Sequence, residues 1–529
     1  PAERDPNAVA DFLKYSVRKP LTYVLIPPRA LRSWFEEGVE AYNPTAEDDV
    51  EDSAWFTHRN GRYGMTPAEI TRGPGGGTGP DTSGWWTVRS KLRGITPGFM
   101  IRDATGAGYL IKFDPPAYPE LMSSAEAITA RLLYASGYCV PEISIVYLDP
   151  SRLRVAEGAT YKDARGRERP LGDTELQEIL AGVPKREDGR IRAMASKLLP
   201  MILGPFDYEG TRDDDPADSI PHEHRRELRG LYVVAAWLNH LDTKQHNSMD
   251  MLVEEDGQRY VAHCLIDFGS SLGSAGIGLN TPRKGVEHDV DLGAVGARWL
   301  TAGFDSRSWE RYASDSTHRV VGFYSADLFE PGDWRNNYPN PAFGNRTIRD
   351  GYWGAKLVGS FDEQQIRAAV SAGQLSDPAA EEAIVQAILA RRDLTVRYWF
   401  SQVTPLESPQ IEGSAQAPRL AFRDLAVAEG IAPVGRRYEV SFTFEAARIR
   451  QSGTRAPDIT SAGEGALELP APPSDPAFWE RLRELPVEER LAKLEVRAIL
   501  EPGVDRPRSV RFYLLPTPEN GYRIVGRAY

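Results

Sequence analysis

The sequence predicts a mixed α+β protein with more than one domain. Three observations predict it. Between Trp85 and Asp114 the runs WWTVRSKLRG, FMIRDA and YLIKFD have strand-like composition, and Ile95-Thr96-Pro97-Gly98 and Thr105-Gly106-Ala107-Gly108 separate them with turn residues. That is the pattern of an antiparallel meander. From Glu223 to Asn239, Leu228, Leu231, Val234, Ala235 and Leu238 recur at helical spacing. From 419 to 529, RYEVSFTFEAARIR, LAKLEVRAIL, RSVRFYLLP and YRIVGRAY alternate like strands again.

Each further element follows from local chemistry. Ser123 and Glu126 have the S-x-x-E spacing of a capping box ahead of an apolar run that Gly137 closes, so a helix is expected there. After Pro141, ISIVYL reads as a strand. Residues 151–190 are polar and read as an insertion. MDMLVEE and RYVAHCLID, joined by Asp256-Gly257, predict a hairpin. The stretch from about 285 to 405 is expected to be helix-rich. The glycine cluster Thr71–Gly84 lacks a following Lys-Ser/Thr and an opening helix, so it reads as a Gly/Pro linker rather than a phosphate loop. The expected domains are an extension with linker over 1–84, a core over 85–200 and 201–405, and a β-rich domain over 419–529.

The 63 Lys and Arg against 75 Asp and Glu give a net charge of −12, which argues against nucleic acid as partner because a phosphate backbone requires a basic footprint. No apolar run reaches the ~18–20 residues that span a bilayer. Cys139 and Cys264 sit in apolar stretches and read as two buried thiols, with a single disulfide as the alternative. The chain opens on Pro1 without a signal-like layout, which leaves a cytoplasmic protein or one processed for a secreted or periplasmic location.

Four features carry chemistry, in one order: Lys112 on the third strand, Glu126 in the next helix, Asp242-Thr243-Lys244-Gln245-His246-Asn247 after the apolar helix, and Leu265-Ile266-Asp267-Phe268-Gly269 ending the hairpin. Phosphoryl transfer asks mainly for positioning and charge neutralisation. A lysine steadied by a glutamate grips phosphates. Asp242 would orient the acceptor hydroxyl and take its proton, and Lys244 would steady the moving group. Asn247 and Asp267 offer hard oxygen ligands suited to Mg²⁺.

Together these motifs resemble a protein-kinase-like fold. HLDTKQHN is similar to the kinase catalytic loop, with Asp242, Lys244 and Asn247 in matching places; LIDFG is similar to the metal-binding DFG motif, with Asp267 in place. Lys112 and Glu126 match the strand lysine and helix glutamate. GITPGFMIRDATGAGYLIKF followed by AEAITARLLYASGYCVPE resembles above all the HipA-like kinases and, more distantly, the phosphoinositide kinases. The resemblance covers 85–275, and 275–405 loosely. It implies a two-lobed fold, with a small β-rich N-lobe and a helical C-lobe, followed by the C-terminal β-rich domain, and it implies ATP and Mg²⁺ as cofactors.

The chain departs from the family pattern in three places. A regular glycine-rich loop is missing; Gly94, Thr96 and Gly98 are the expected phosphate-cradling positions, although Pro97 supplies no N–H. Leu241 stands where typical kinases carry Arg, and no A-P-E follows Gly269. The acceptor is therefore left open among protein, lipid and small molecule. The expectation is an ATP- and Mg²⁺-dependent phosphotransferase. The rival is a pseudokinase scaffold whose extra domains, including the C-terminal one, engage a protein partner or an envelope assembly.

Overall fold

The computed structural model describes residues 2, 14, 38–91, 97–163, 167–289, 307–312, 321–500 and 506–529. Expected phosphate-loop positions Gly94 and Thr96 lie outside these residues. The chain divides into two compact units: Pro1–Val39, Asp52–Asn345 and Lys356–Thr395 form the first, and Glu40–Glu51, Arg346–Ala355 and Val396–Tyr529 the second.

The first unit is built on a six-stranded sheet. In chain order its strands are β1 (Trp86–Lys91), β2 (Gly98–Arg102), β3 (Gly108–Lys112), β4 (Ile143–Leu148), β5 (Leu153–Val155) and β8 (Ile191–Lys197), arranged β4-β8-β3-β2-β1-β5. A small hairpin, β6 (Thr160–Lys162) and β7 (Glu168–Pro170), forms its own two-stranded sheet and packs Tyr161 against the same core. Strands β4 and β5 occupy opposite edges yet are joined only through 149–152. Five flat spacings of ~4.8 Å would need about 24 Å, whereas five chain steps span at most about 17 Å. The sheet must therefore curl strongly towards closure.

The alternation of side chains fixes its two faces. Val88, Phe99, Ile101, Tyr109, Ile111, Ala193 and Ala195 share one core, which the helix α2 (Asp173–Ala181) completes with Leu176, Ile179 and Leu180. The polar stretch read as an insertion thus contributes a core helix, because its few apolar residues fall at helical spacing. On the other face the register sets Lys112 across from Gly98 on one side and Met194 on the other. The helix α1 (Leu121–Ser136) packs with β4 and β8. It begins two residues before Ser123, after an uncapped Glu120. Ser123 and Glu126 are therefore interior and buried rather than the expected capping box.

Beyond β8 the chain forms β9 (Ile202–Gly204), then the helix α3 (Arg226–Leu238), every residue of which is buried. Asn239 ends α3 in the left-handed region at φ 48°. The hairpin follows as β10 (Ser248–Glu255) and β11 (Gln258–Leu265), with Asp256 and Gly257 both at positive φ, as a two-residue turn matched to strand twist requires. Among the described residues after the hairpin, helices lie at Pro341–Gly344 and Ile348–Gly359 and then as α4 (Glu363–Ser371) and α5 (Pro378–Ser401). Residues 321–340, expected within a helix-rich stretch, are irregular. Their run EPGDWRNNYPN is dense in turn-forming residues.

Cys139 and Cys264 are joined as a disulfide across 125 residues, which corrects the reading as two thiols. Local apolar context gave each cysteine a home without revealing that the end of α1 and strand β11 run side by side. The Leu265 N–H donates to the Cys139 carbonyl there at 2.8 Å.

The second unit is β-rich. A three-stranded sheet comprises β12 (Leu406–Ser414), β13 (Ala417–Asp424) and β16 (Glu464–Glu468). A five-stranded sheet comprises β14 (Tyr438–Phe444), β15 (Ile449–Arg455), β17 (Ala492–Ala498), β18 (Val510–Thr517) and β19 (Gly521–Ala528). Leu420, Phe422, Phe442, Leu494, Phe512 and Leu514 fill the core between them, joined by Phe478 and Leu482 of α6 (Pro476–Glu484). Among the described residues, no helix is long and apolar enough to cross a membrane.

Replacing Cys139 and Cys264 together by Ser should lower unfolding stability by about 2–5 kcal/mol, since the cross-link closes a long loop in the unfolded chain. Urea unfolding of the oxidised parent against the double variant measures it; equal midpoints would show that the cross-link adds nothing.

Candidate functional site

The four motif segments converge in the first unit. Lys112, the last residue of β3, projects from the face opposite the sheet core. Its Nζ donates to Asp267 Oδ1 at 2.7 Å and lies 4.0 Å from Glu126 Oε2. The lysine side chain is 12 % exposed and that of Glu126 2 %, so the ammonium is held between carboxylates with little water. Asp267 lies 155 residues further along the chain. Its backbone adopts φ 63°, rare for a residue with a side chain and a common mark of a functional turn. Gly269 is required by the same turn: a Cβ there would meet Met122 Cγ at 2.8 Å and Glu126 Oε2 at 3.0 Å.

The D-x-K-x-x-N segment is shaped by its own bonds. Lys244 Nζ pairs with Asp242 Oδ2 at 2.7 Å. Asn247 Nδ2 donates to the Asp242 carbonyl at 2.8 Å, which ties the two ends of the segment together. Ser248 faces Leu265 across the hairpin, and the Ile266 N–H donates to the Asn247 carbonyl at 3.0 Å. Asn247 and Asp267 therefore flank the open end of one hairpin. Gly98 sits within the sheet directly across from Lys112.

Burial and charge act together on this cluster. Burial lowers the affinity of Lys112 for its proton, but the charges of Glu126 and Asp267 outweigh it and raise its pKa. Asp267 shows the converse: burial raises it, and the Lys112 ammonium and hydrogen bond bring it below the usual carboxylate value. Glu126 is pushed up to about 7, first by burial and also by Asp267; Lys112 and the backbone N–H groups of Phe268 and Gly269 pull the other way. His240, buried with its ring 5.6 Å from that of Phe268, is lowered to about 4 by burial. Two buried carboxylate oxygens, Glu126 Oε2 and Asp242 Oδ1, have no hydrogen-bond partner. A buried acceptor left without a donor costs about 1–3 kcal/mol. Glu126 Oε2 faces the Lys112 ammonium at 4.0 Å, whereas Asp242 Oδ1 could accept a further donor.

Asn247 and Asp267 could hold a divalent cation between them and a ligand's oxygens. Among the described residues no group of three or more His, Cys, Asp and Glu converges to cage a metal. A carboxylate and an amide oxygen, with phosphate oxygens supplying the remainder, match the way Mg²⁺ is commonly held.

Several neighbours were not singled out from the sequence. Tyr208 Oη donates to the Thr243 carbonyl at 2.7 Å, and Asn336 Nδ2 to Thr243 Oγ1 at 2.7 Å. The Asn337 N–H donates to the Leu241 carbonyl at 2.8 Å. These residues lie 35 to 96 positions away in irregular segments, and no spacing rule links them to the loop. Met100 and Leu110 pair on the face of the sheet that bears Lys112. Their signal was the half-exposed parity of β2 and β3. His288 and Asp289, which follow the Leu265–Gly269 segment in the chain, are bonded elsewhere: Lys284 bonds Asp289, and His288 Nδ1 meets the Asn336 carbonyl at 2.7 Å.

No family profile matches the sequence, and no curated protein matches it. Among solved structures, the chain is similar to two described as the crystal structure of the Golgi casein kinase, one with Mn/ADP bound. Each is 10 % identical with a TM-score of 0.29, over 75 % of this chain and 92 % of the other.

His240 sets a pH dependence. Its pKa of about 4 lies below the ordinary value of 6.5, so the stability it contributes is present above pH 6.5 and is lost as pH falls towards 4. The size is roughly 3 kcal/mol at about 1.4 kcal/mol per unit. Urea midpoints across this range should fall for the parent and fall less for His240→Phe; parallel curves would remove His240 as a cause.

Proposed function

We propose that the first unit is an ATP- and Mg²⁺-dependent phosphotransferase of atypical kinase type. The observation that carries the reading is the buried Lys112 ammonium bridged to Asp267 and facing Glu126, beside an Asp242 carboxylate with one buried, unpartnered oxygen. Lysine removal from such a site would leave the buried Glu126 carboxylate and the half-exposed Asp267 carboxylate without the cation that neutralises them, a costly arrangement that a purely structural design would avoid with apolar side chains.

In this reading Lys112 holds the nucleotide phosphates and Glu126 limits its swing. Asn247 and Asp267 hold Mg²⁺, which when bound neutralises phosphate charge. Asp242 Oδ1 accepts the proton of an acceptor hydroxyl as that oxygen bonds the γ-phosphorus and the bridge to ADP breaks. Lys244, now paired with Asp242 Oδ2, follows the transferring group with its charge. The apolar side chains Met100 and Leu110, beside Lys112 on one sheet face, suit the flat base of the nucleotide. The acceptor is a hydroxyl-bearing molecule.

Mg·ATP should raise the melting temperature of the whole chain and transfer labelled γ-phosphate to itself or to a member of an acceptor panel. Lys112→Met should weaken Mg·ATP binding at least tenfold. Asp242→Asn should keep that binding and lose transfer by 10²–10⁴-fold, the usual worth of a positioned base. Full transfer by Asp242→Asn would overturn its role. Binding without transfer across the panel would favour the scaffold reading, and no binding by the parent would end the nucleotide reading.

A further inference from the structure

Glu126 lies on a helix, and a helix packed against a sheet can slide or rotate. Whatever fixes α1 fixes the distance between Glu126 and Lys112. Its N-terminus is not secured in the usual way, since Glu120 offers no side-chain cap. The securing groups come from elsewhere in the first unit. Asp114, two residues beyond Lys112, accepts the Ser123 N–H at 2.8 Å and the Ser123 hydroxyl at 2.6 Å. Ser123 is three residues before Glu126, almost one helical turn.

Arg192 completes the assembly. It stands on β8, two residues from Met194, the partner of Lys112 across the ladder. Its residue is 8 % exposed. Nε donates to Ser123 Oγ at 3.1 Å and Nη2 to Ser124 Oγ at 2.8 Å. Nη1 donates to the Gln374 carbonyl at 2.6 Å and to Tyr147 Oη at 3.3 Å, and Nη2 donates to the Gly373 carbonyl at 2.5 Å. Asp114 Oδ2 lies 3.9 Å from Nε. The Ser124 hydroxyl also donates to the Gly373 carbonyl at 2.9 Å. One planar guanidinium thus joins the strand beside Lys112, the first turn of the Glu126 helix and the turn that follows α4. Lysine, with a single point of charge and no fork, cannot reproduce that set.

We infer that Arg192 is a positioning residue that holds Glu126 against Lys112, so that the nucleotide site is assembled in the folded chain without a separate activating event. The inference rests on the phosphotransferase reading. Helix α1 is pinned at its start by buried hydrogen bonds, not left to be docked by a phosphorylated loop or a partner. Aligning the two charged groups is the service Arg192 performs, and it touches neither nucleotide nor metal.

The test is a double-mutant cycle on the full chain, read as the dissociation constant for Mg·ATP well below the melting temperature. Arg192→Met should raise that constant about tenfold, and Glu126→Gln should do so by a similar factor. If Arg192 acts through Glu126, the double variant should bind little worse than either single one. Fully multiplicative losses, or an Arg192→Met variant that binds like the parent while merely melting earlier, would overturn the inference and leave the nucleotide reading intact. A parent that does not bind Mg·ATP would overturn both. Should Arg192→Met fail to fold, Asp114→Asn keeps the side-chain shape and enters the same cycle; it should weaken binding severalfold, again without adding to Glu126→Gln, and an additive loss would again overturn the inference.

Discussion

The structure of the first unit turns on a single buried cation. An ammonium is expensive to remove from water unless carboxylates surround it, and carboxylates are expensive to bury unless a cation lies between them. Lys112, Glu126 and Asp267 meet that condition only when the strand, the helix and the end of the hairpin occupy their present places. The mutual dependence explains the opposed shifts: Lys112 holds its proton more tightly than usual, Asp267 gives its proton up more readily, and Glu126, the most buried of the three, is drawn towards the neutral form.

The surrounding architecture is a set of devices that hold those three groups. The curled sheet separates an apolar face, closed by α2, from the face that bears Lys112. Helix α3, buried on every side, gives the loop that begins at Asn239 a rigid base. The disulfide ties the end of α1 to β11, three residues before Asp267. Arg192 and Asp114 tie its beginning to β8 and β3. The Glu126 helix is consequently tethered at both ends, covalently at one and by buried hydrogen bonds at the other.

Charge balance also explains why the loop after α3 is not simply a helix terminus. Lys244 satisfies one oxygen of Asp242 and leaves the other buried without a donor. Tyr208, Asn336 and Asn337 spend their hydrogen bonds on the backbone and on Thr243, not on that carboxylate. The loop is therefore held by its frame, and one carboxylate oxygen of Asp242 takes no part in holding it.

Much of this was legible in one dimension, and some of it was not. The strands β1–β4, the helix α3 and the Asp256-Gly257 hairpin follow from alternation, helical spacing and turn residues, which are local properties of the chain. The order Lys112, Glu126, Asp242, Asn247, Asp267 is likewise a sequence fact. The sequence misled where one local pattern had two uses. Ser123 and Glu126 have capping-box spacing, but the helix starts earlier and both turn inward. The polar stretch 151–190 hides a core helix, and the stretch 285–405, expected to be helix-rich, includes the irregular 321–340. Which groups touch was decided only by tertiary structure. That Cys139 is bonded to Cys264, that Lys112 lies closer to Asp267 than to Glu126, and that Arg192 spans three segments depend on distances between residues far apart in the chain. No periodicity or propensity encodes such distances; packing of the whole unit sets them.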